Sequence, residues 1–150
     1  MPIKLMFRLI SPEFHQNGII KKDIEHLIKF KFYKLSCMFF ALNGIIKFKT
    51  NKYFGILLVL QSFLSYMSDV YTLGNYSKWH IADRYFAVCM AIYHIYNLKT
   101  IHSYIINILL FYTGHKYLSN SQNLYDIGDI KFLDEHIKWH IIAAMTIYIG

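Results

Sequence analysis

Apolar residues in this chain come in long blocks, and the charged residues are confined to short seams between them. The blocks cover approximately 31–47, 53–71, 81–98, 101–118 and 132–149. Each is close to the ~17–25 residues that a helix needs to span a hydrocarbon core. The pattern predicts an all-α, polytopic transmembrane bundle of about five helices. The second block, YFGILLVLQSFLSYMSDV, and the fourth, IHSYIINILLFYTGHKYL, are the clearest spans. Block 31–47 is the weakest, because Lys31 and Lys34 intrude and must snorkel; the expected number of spans is therefore four to five. Connections such as FKTNK at 48–52 and NLKT at 97–100 are short and predict antiparallel neighbours, whereas 119–131, SNSQNLYDIGDIK, reads as the one long loop. Residues 1–30 read as a polar arm with a turn signal at Asn17-Gly18, and 31–150 as a single transmembrane domain. Within the arm, Ile20, Ile24, Leu27 and Ile28 share one face and Lys21, Lys22, Glu25 and Lys29 the other. That predicts an N-terminal interfacial helix on the bilayer, although periodicity alone fits a solvated capping helix equally well.

Composition strengthens the membrane reading. Of 150 residues, 55% are hydrophobic and 18% aromatic, with 17% charged; a soluble domain of this size needs more polar surface. The formal charge of +7 comes almost entirely from lysine, Arg8 and Arg84 being the only arginines. Part of this Lys, Ile, Asn, Tyr and Phe richness is what an AT-rich coding sequence produces. The lysines flank apolar blocks, as headgroup anchors do, rather than clustering beside exposed aromatics as a nucleic-acid surface requires; no nucleic-acid partner is expected. Cys37 and Cys89 lie in separate apolar blocks with no CxxC spacing and read as packing residues. MPIKLMFRLISPEF has no small-residue cleavage pattern, so no cleaved signal peptide is expected.

Counting sides gives the chemistry a location. If successive blocks cross in alternate directions, the second ends, the third begins, the fourth ends and the fifth begins on one membrane face. Asp69, His80, Asp83, His115, His136 and His140 then fall near that face, although they span about seventy positions of sequence. The excess of lysine there assigns it to the cytoplasmic side under the positive-inside rule, with the compartment left open. Ser62, Ser65 and Asp69 form a polar stripe on the second helix, and a buried acid on such a stripe faces a bundle interior or a wet cavity. Ser77 is placed to cap the third helix, followed by His80 and then Asp83 one turn apart. His94 lies about three turns deeper, too far to share a site with Asp83. On the last helix His136 and His140, four residues apart, project the same way. Two imidazoles and a third ligand, Asp69 or His80, are the protein share of a catalytic zinc site. Asp83 would orient a ligand or a water, and the serines would donate to a developing oxyanion. HExxH is absent, and the same cluster is equally what an interfacial helix end accumulates for structural reasons.

The terminal EHIKWHIIAAM, with its H-x-x-W-H, resembles the last helix of the alkaline ceramidases. These belong to a superfamily of seven-helix membrane hydrolases that includes the adiponectin-receptor-like proteins. That superfamily combines Ser-x-x-x-His on its second helix, an Asp opening its third and His-x-x-x-His on its last. Here Ser65-Tyr-Met-Ser-Asp69 matches the first pattern in its serine, Asp83 resembles the third-helix Asp, and His136 and His140 match the terminal pair. The resemblance covers roughly 62–85 and 132–150, and it implies zinc on the histidines with Asp83 and Ser65 supporting a water. Asp69 stands where the family has a ligand histidine, and five blocks stand in place of seven helices. The expectation is a shortened, divergent member: an integral, multi-pass, zinc-dependent hydrolase whose activated water attacks a lipid amide or ester at the membrane interface. The competing expectation is a non-enzymatic scaffold, assembly factor or homo-oligomeric bundle, including a degenerate member of the family, with a structural polar cluster. A haem protein, using histidines on several helices, ranks third.

Overall fold

The computed structural model describes residues 21–75 and 77–149, and these are helical and without strands. A short helix α1 (Lys21–Ile24) precedes α2 (Ile28–Ser36) and α3 (Met38–Lys47). Helix α4 (Lys52–Tyr66) runs on into a π-helical turn, Met67–Tyr71; α5 (Lys78–Tyr96), α6 (Ile101–Asp126) and α7 (Phe132–Ile149) follow. Most of the expected arm, with Asn17-Gly18 and Ile20, lies outside the described residues.

Helix starts follow local chemistry. The Asn51 side chain accepts from the Phe54 amide, Ser77 from Trp79 and Thr100 from Ser103, each relieving one unpaired N–H of a first turn. The cap predicted at Ser77 is therefore present. Helices α4 and α6 are each followed by a glycine in the left-handed region, Gly74 (φ 82°) and Gly128 (φ 77°), a conformation that costs glycine least.

Three expectations about the elements are corrected. The stretch read as one amphipathic helix is bent: Leu27 is extended (φ −78°, ψ 141°) between α1 and α2. Unbroken helix would put Ile24 and Ile28 on one face. Instead Ile24 and Phe30 enter the core and Ile28 points outward, so core packing overrides the local periodicity. Block 31–47 is divided between α2 and α3 at Cys37, whose backbone stays right-handed helical (φ −60°, ψ −27°). Tyr33, Ser36, Cys37 and Phe40 thus form one continuous buried stripe across the junction. Segment 119–131 is mostly not a loop, because α6 continues to Asp126 and only 127–131 connect it to α7. The polar run is helical because it packs on α7, with Ser121 buried against Phe132 and His136.

Contacts establish the directions. Cys37 meets Ser62 and Gly44 meets Gly55, so α2–α3 and α4 are antiparallel. Phe54 meets His94 and Phe63 meets Trp79, making α4 and α5 antiparallel. Gly114 touches Trp139 and Ser121 touches His136, which makes α6 and α7 antiparallel. Lys29 meets Asp134, Ser36 meets His140 and Asn43 meets Ala144, so α2–α3 run parallel to α7. This is the alternation that the side counting assumed. Helix α5 packs mainly on α4, and α6 on α7. One core cluster, with Phe30, Tyr33, Val70, Phe132 and Leu133, closes the end carrying the acids and histidines. A second, with Phe40, Phe54, Leu58, Met90, Ala143 and Ile147, fills the other half.

Among the described residues one helix, Lys52–Tyr71, is long and apolar enough to cross a membrane. Buried polar side chains on the other helices, and charges such as Asp83 and Arg84 on α5 and Asp134, Glu135 and Lys138 on α7, dilute their hydropathy. Four to five spans are thus not established by length and apolarity.

At the Gly44–Gly55 crossing the backbones of α3 and α4 leave no room for a Cβ. A Cβ on Gly55 would lie 2.7 Å from the Gly44 carbonyl oxygen and 2.9 Å from the Phe48 backbone. Neither neighbour can rotate away. Gly55→Ala is expected to destabilise by about 1–3 kcal/mol from overpacking, more than offsetting the ~1 kcal/mol that alanine gains within a helix. Gly114→Ala faces the Trp139 ring at 3.0 Å, which can tilt, and is expected to cost less. Thermal unfolding of the two variants measures the difference.

Candidate metal centre

The π-helical turn that ends α4 sets the site. Widening is visible in the Thr72 amide donating to the Met67 carbonyl, five residues back, at 3.1 Å, and the Thr72 hydroxyl donates to the same carbonyl at 2.9 Å. Such turns inside α-helices frequently mark functional positions. This one carries Ser68 and Asp69 into the bundle, while the Tyr33 hydroxyl donates to the Asp69 backbone carbonyl at 3.1 Å.

The Asp69 carboxylate is the meeting point. His136 Nε2 lies 3.0 Å and His140 Nε2 3.4 Å from its Oδ2. The Ser65 hydroxyl is 3.2 Å from the same oxygen and 3.3 Å from His140 Nε2. Ser68 donates to Oδ1 at 3.0 Å. The rings of His136 and His140 stand edge to face with centroids 4.6 Å apart. Tyr33 packs on the first and Phe40 on the second, so both orientations are fixed by packing.

Hydrogen bonds on the far side of each ring fix its tautomer. Ser36 Oγ lies 2.7 Å from His140 Nδ1 and also donates to the Tyr33 carbonyl at 2.7 Å. A hydroxyl has one hydrogen, and a carbonyl can only accept. The Ser36 hydrogen is therefore committed to Tyr33, and His140 Nδ1 must carry the proton it shares with Ser36. The same holds at the other ring: Ser121 Oγ donates to the Phe132 carbonyl at 3.1 Å and lies 3.2 Å from His136 Nδ1. With Nδ1 protonated in both, each neutral ring directs an Nε2 lone pair at an oxygen of Asp69. Lone pairs facing a carboxylate repel, so the arrangement calls for positive charge between them, a proton on Nε2 or a metal ion. The donors also suit an ion in kind. Two imidazoles and a carboxylate are ordinary zinc ligands, and the ligand atoms of Asp69, His140 and Cys37 all lie within 4.8 Å of one another. The serines on Nδ1 are the outer hydrogen bonds that metal-binding imidazoles normally make. Asp69 and His140, with Cys37, are close enough to hold a metal ion.

The other expected site residues lie around this point. Asp83 accepts from Gln61 Nε2 at 2.7 Å, while Gln61 Oε1 is buried without a hydrogen-bond partner. A cavity of about 360 Å³ is lined by Ser65, Asp69, Asp83, Arg84, His115, His136 and His140, and continues past Leu58, Met90 and Ala143 to Phe54 and His94. His94, expected to be too deep to share a site with Asp83, lines this same cavity, because the cavity follows α4 for fifteen residues, ~22 Å of helix rise. It is held there by Asn107 Oδ1 at 3.2 Å. His80 lines a smaller neighbouring cavity with Asp69 and His136, its Nδ1 3.4 Å from the Ser77 carbonyl. Of the two alternatives for a third ligand, Asp69 is the one in contact with both terminal histidines.

Sequence reasoning missed Ser36, Ser121 and Cys37. Cys37, set aside as packing, has its Sγ within 4.8 Å of ligand atoms of Asp69 and His140, a group able to hold a metal ion. A faint signal existed: Tyr33, Ser36, Cys37 and Phe40 follow helical spacing on an otherwise apolar block. Ser121 had none, since its segment read as a loop.

No family model, curated protein or solved structure matches this chain. Its class is therefore defined by its own geometry, an all-helical bundle with a buried carboxylate–imidazole cluster at the head of an apolar cavity.

The tautomer assignment is testable. Nitrogen-detected NMR of ¹⁵N-histidine protein is expected to show Nδ1 protonated in both His136 and His140. Ser36→Ala strands a buried N–H donor and is expected to cost about 1–3 kcal/mol, read from equilibrium denaturation.

Proposed function

We propose that this protein is a small multi-pass membrane hydrolase that binds zinc through His136, His140 and Asp69 and cleaves a lipid amide or ester. The observation that carries the reading is the pair of tautomer-fixed imidazoles directing Nε2 at one carboxylate oxygen, at the edge of a long apolar cavity. When bound, such an ion acidifies a water and polarises a carbonyl.

The chain's own groups supply the rest. Ser65 Oγ, beside Asp69 and His140, is placed to donate to an oxyanion forming on the substrate carbonyl. Asp83, held by Gln61 across the cavity, is the group to carry a proton to the departing nitrogen or oxygen. Phe40, Leu58, Met90, Ala143 and Ile147 provide a wall for a hydrocarbon chain, and the cavity is of the size of ordinary ligand sites. Reacting groups at one end and an apolar channel behind them suit a lipid.

Support for a membrane setting comes from how polarity is distributed. Ser36, Ser65, Asn107 and His140 are fully buried, while Ile45, Ile92, Ile108 and Leu109 are each more than 60% exposed. On α6 the outward residues Ile101, Ile105, Ile108, Leu109 and Tyr112 form one apolar stripe. Helices α3, α4 and α5 present similar outward faces with Leu42 and Ile46, Ile56 and Phe63, and Val88 and Ile95. In water such surfaces mark interaction or aggregation sites; in a bilayer they are the expected exterior, with polar groups turned inward. The superfamily resemblance of 62–85 and 132–150 agrees, with Asp69 in the place of its second-helix histidine.

Protein purified in detergent is expected to carry about one zinc per chain, lost in His136→Ala/His140→Ala. Absence of zinc, or zinc unchanged in the double variant, overturns the reading. Asp83→Asn is expected to retain zinc and to lower turnover of a lipid amide or ester by about 10²-fold or more. An unchanged rate would remove Asp83 from the chemistry. Resistance of the protein to alkaline extraction from membranes checks the multi-pass setting.

A further inference from the structure

The metal reading leaves one ligating side chain without a role. Cys37 is fully buried at the junction of α2 and α3. Its contact with the Tyr33 carbonyl is a long 3.9 Å, and its side chain also meets Ser65. Its Sγ, an Asp69 carboxylate oxygen and a His140 ring nitrogen all lie within 4.8 Å of one another. We propose that Cys37 is a thiolate ligand of the metal held by His136, His140 and Asp69.

The proposal rests on the zinc reading above and sharpens it. Its second support is independent of the cysteine. The His140 ring is buried, its Nδ1 is committed to Ser36, and its Nε2 is turned to the Asp69 carboxylate at 3.4 Å and the Ser65 hydroxyl at 3.3 Å, so the ring is held in place beside the carboxylate that Sγ approaches. Consecutive residues of one junction thereby meet one imidazole, Ser36 holding Nδ1 and Cys37 standing among the donors close enough to share an ion with it. Location also fits an open catalytic site. Asp69 and His136 line both cavities, whereas Cys37 lines neither. The thiolate comes from the protein side and leaves the cavity side free for water and substrate. Binding releases the thiol proton to solvent, as metal binding by cysteine requires. A thiolate also sets the metal class, favouring zinc, cobalt or cadmium over magnesium, calcium or manganese.

Cobalt(II) is the probe. Metal-free full-length protein in detergent, loaded with cobalt, is expected to show visible ligand-field bands together with a near-ultraviolet sulfur-to-cobalt charge-transfer band. The chain has two cysteines, Cys37 and Cys89, and Cys89 is exposed. A Cys89→Ser protein is therefore expected to keep the charge-transfer band, which then originates from Cys37. Cys37→Ser is expected to lose that band, keep the visible bands and bind cobalt about 10-fold or more weakly, in the range of a lost ligand-shell interaction. Visible bands without the sulfur band in wild-type or Cys89→Ser protein overturn the role of Cys37 and leave the His136, His140 and Asp69 site standing. No cobalt spectrum in wild-type protein overturns both. Because Cys89→Ser decides the question alone, misfolding of Cys37→Ser does not rescue the proposal.

Discussion

Two imidazoles whose outer nitrogens are already committed turn their remaining nitrogens toward a single carboxylate. This constraint organises the molecule. Asp69 reaches the bundle centre on a π-helical turn, His136 and His140 come from the first half of α7, and the serines that fix their tautomers come from α2 and α6. Four elements must therefore be in register before the cluster exists. In a low-dielectric interior, charge and hydrogen bonding at such a cluster are strong when satisfied and costly when not. The surrounding packing is accordingly firm: Tyr33 and Phe40 brace the two rings, and the glycines at 44 and 55 bring α3 against α4.

Placement of the cluster within the bundle gives it chemical meaning. It lies between the two apolar cores, at one end of a cavity that follows α4 toward Phe54 and His94. Helix α5 leans on α4 and α6 on α7, leaving the cavity between the pairs. Polar side chains such as Ser36, Ser65, Asn107 and His140 are buried among the apolar cores, while many bulky apolar ones are exposed on the outside. The proposed lipid hydrolase function would use both properties, a polar reacting end and an apolar channel reaching it.

Much of this could be read from the residues. Apolar blocks located the main helices, and alternation of direction brought Asp69, Asp83, His115, His136 and His140 to one cavity with His80 next to it. Other features could not be read, for identifiable reasons. The bend at Leu27 answers to the core demand for Ile24 and Phe30, which outweighs local amphipathicity. The extension of α6 through a polar run depends on α7 lying beside it. Cys37 looked inert because a cysteine in an apolar block usually is; its neighbours Asp69 and His140 are 32 and 103 positions away.

The sequence by itself determined an all-helical chain, the approximate positions of its main helices, and which end of the bundle would collect acids and histidines, because hydrophobic spacing and alternating direction are properties of the chain's pattern. Only the tertiary structure decided that Asp69 rather than His80 contacts both terminal histidines, that Ser36 and Ser121 hold their outer nitrogens, and that Cys37 stands beside them. Those outcomes depend on rotation of each helix about its axis and on a one-residue widening after Tyr66. Both are set by side-chain packing between elements far apart in the chain, which no local pattern encodes.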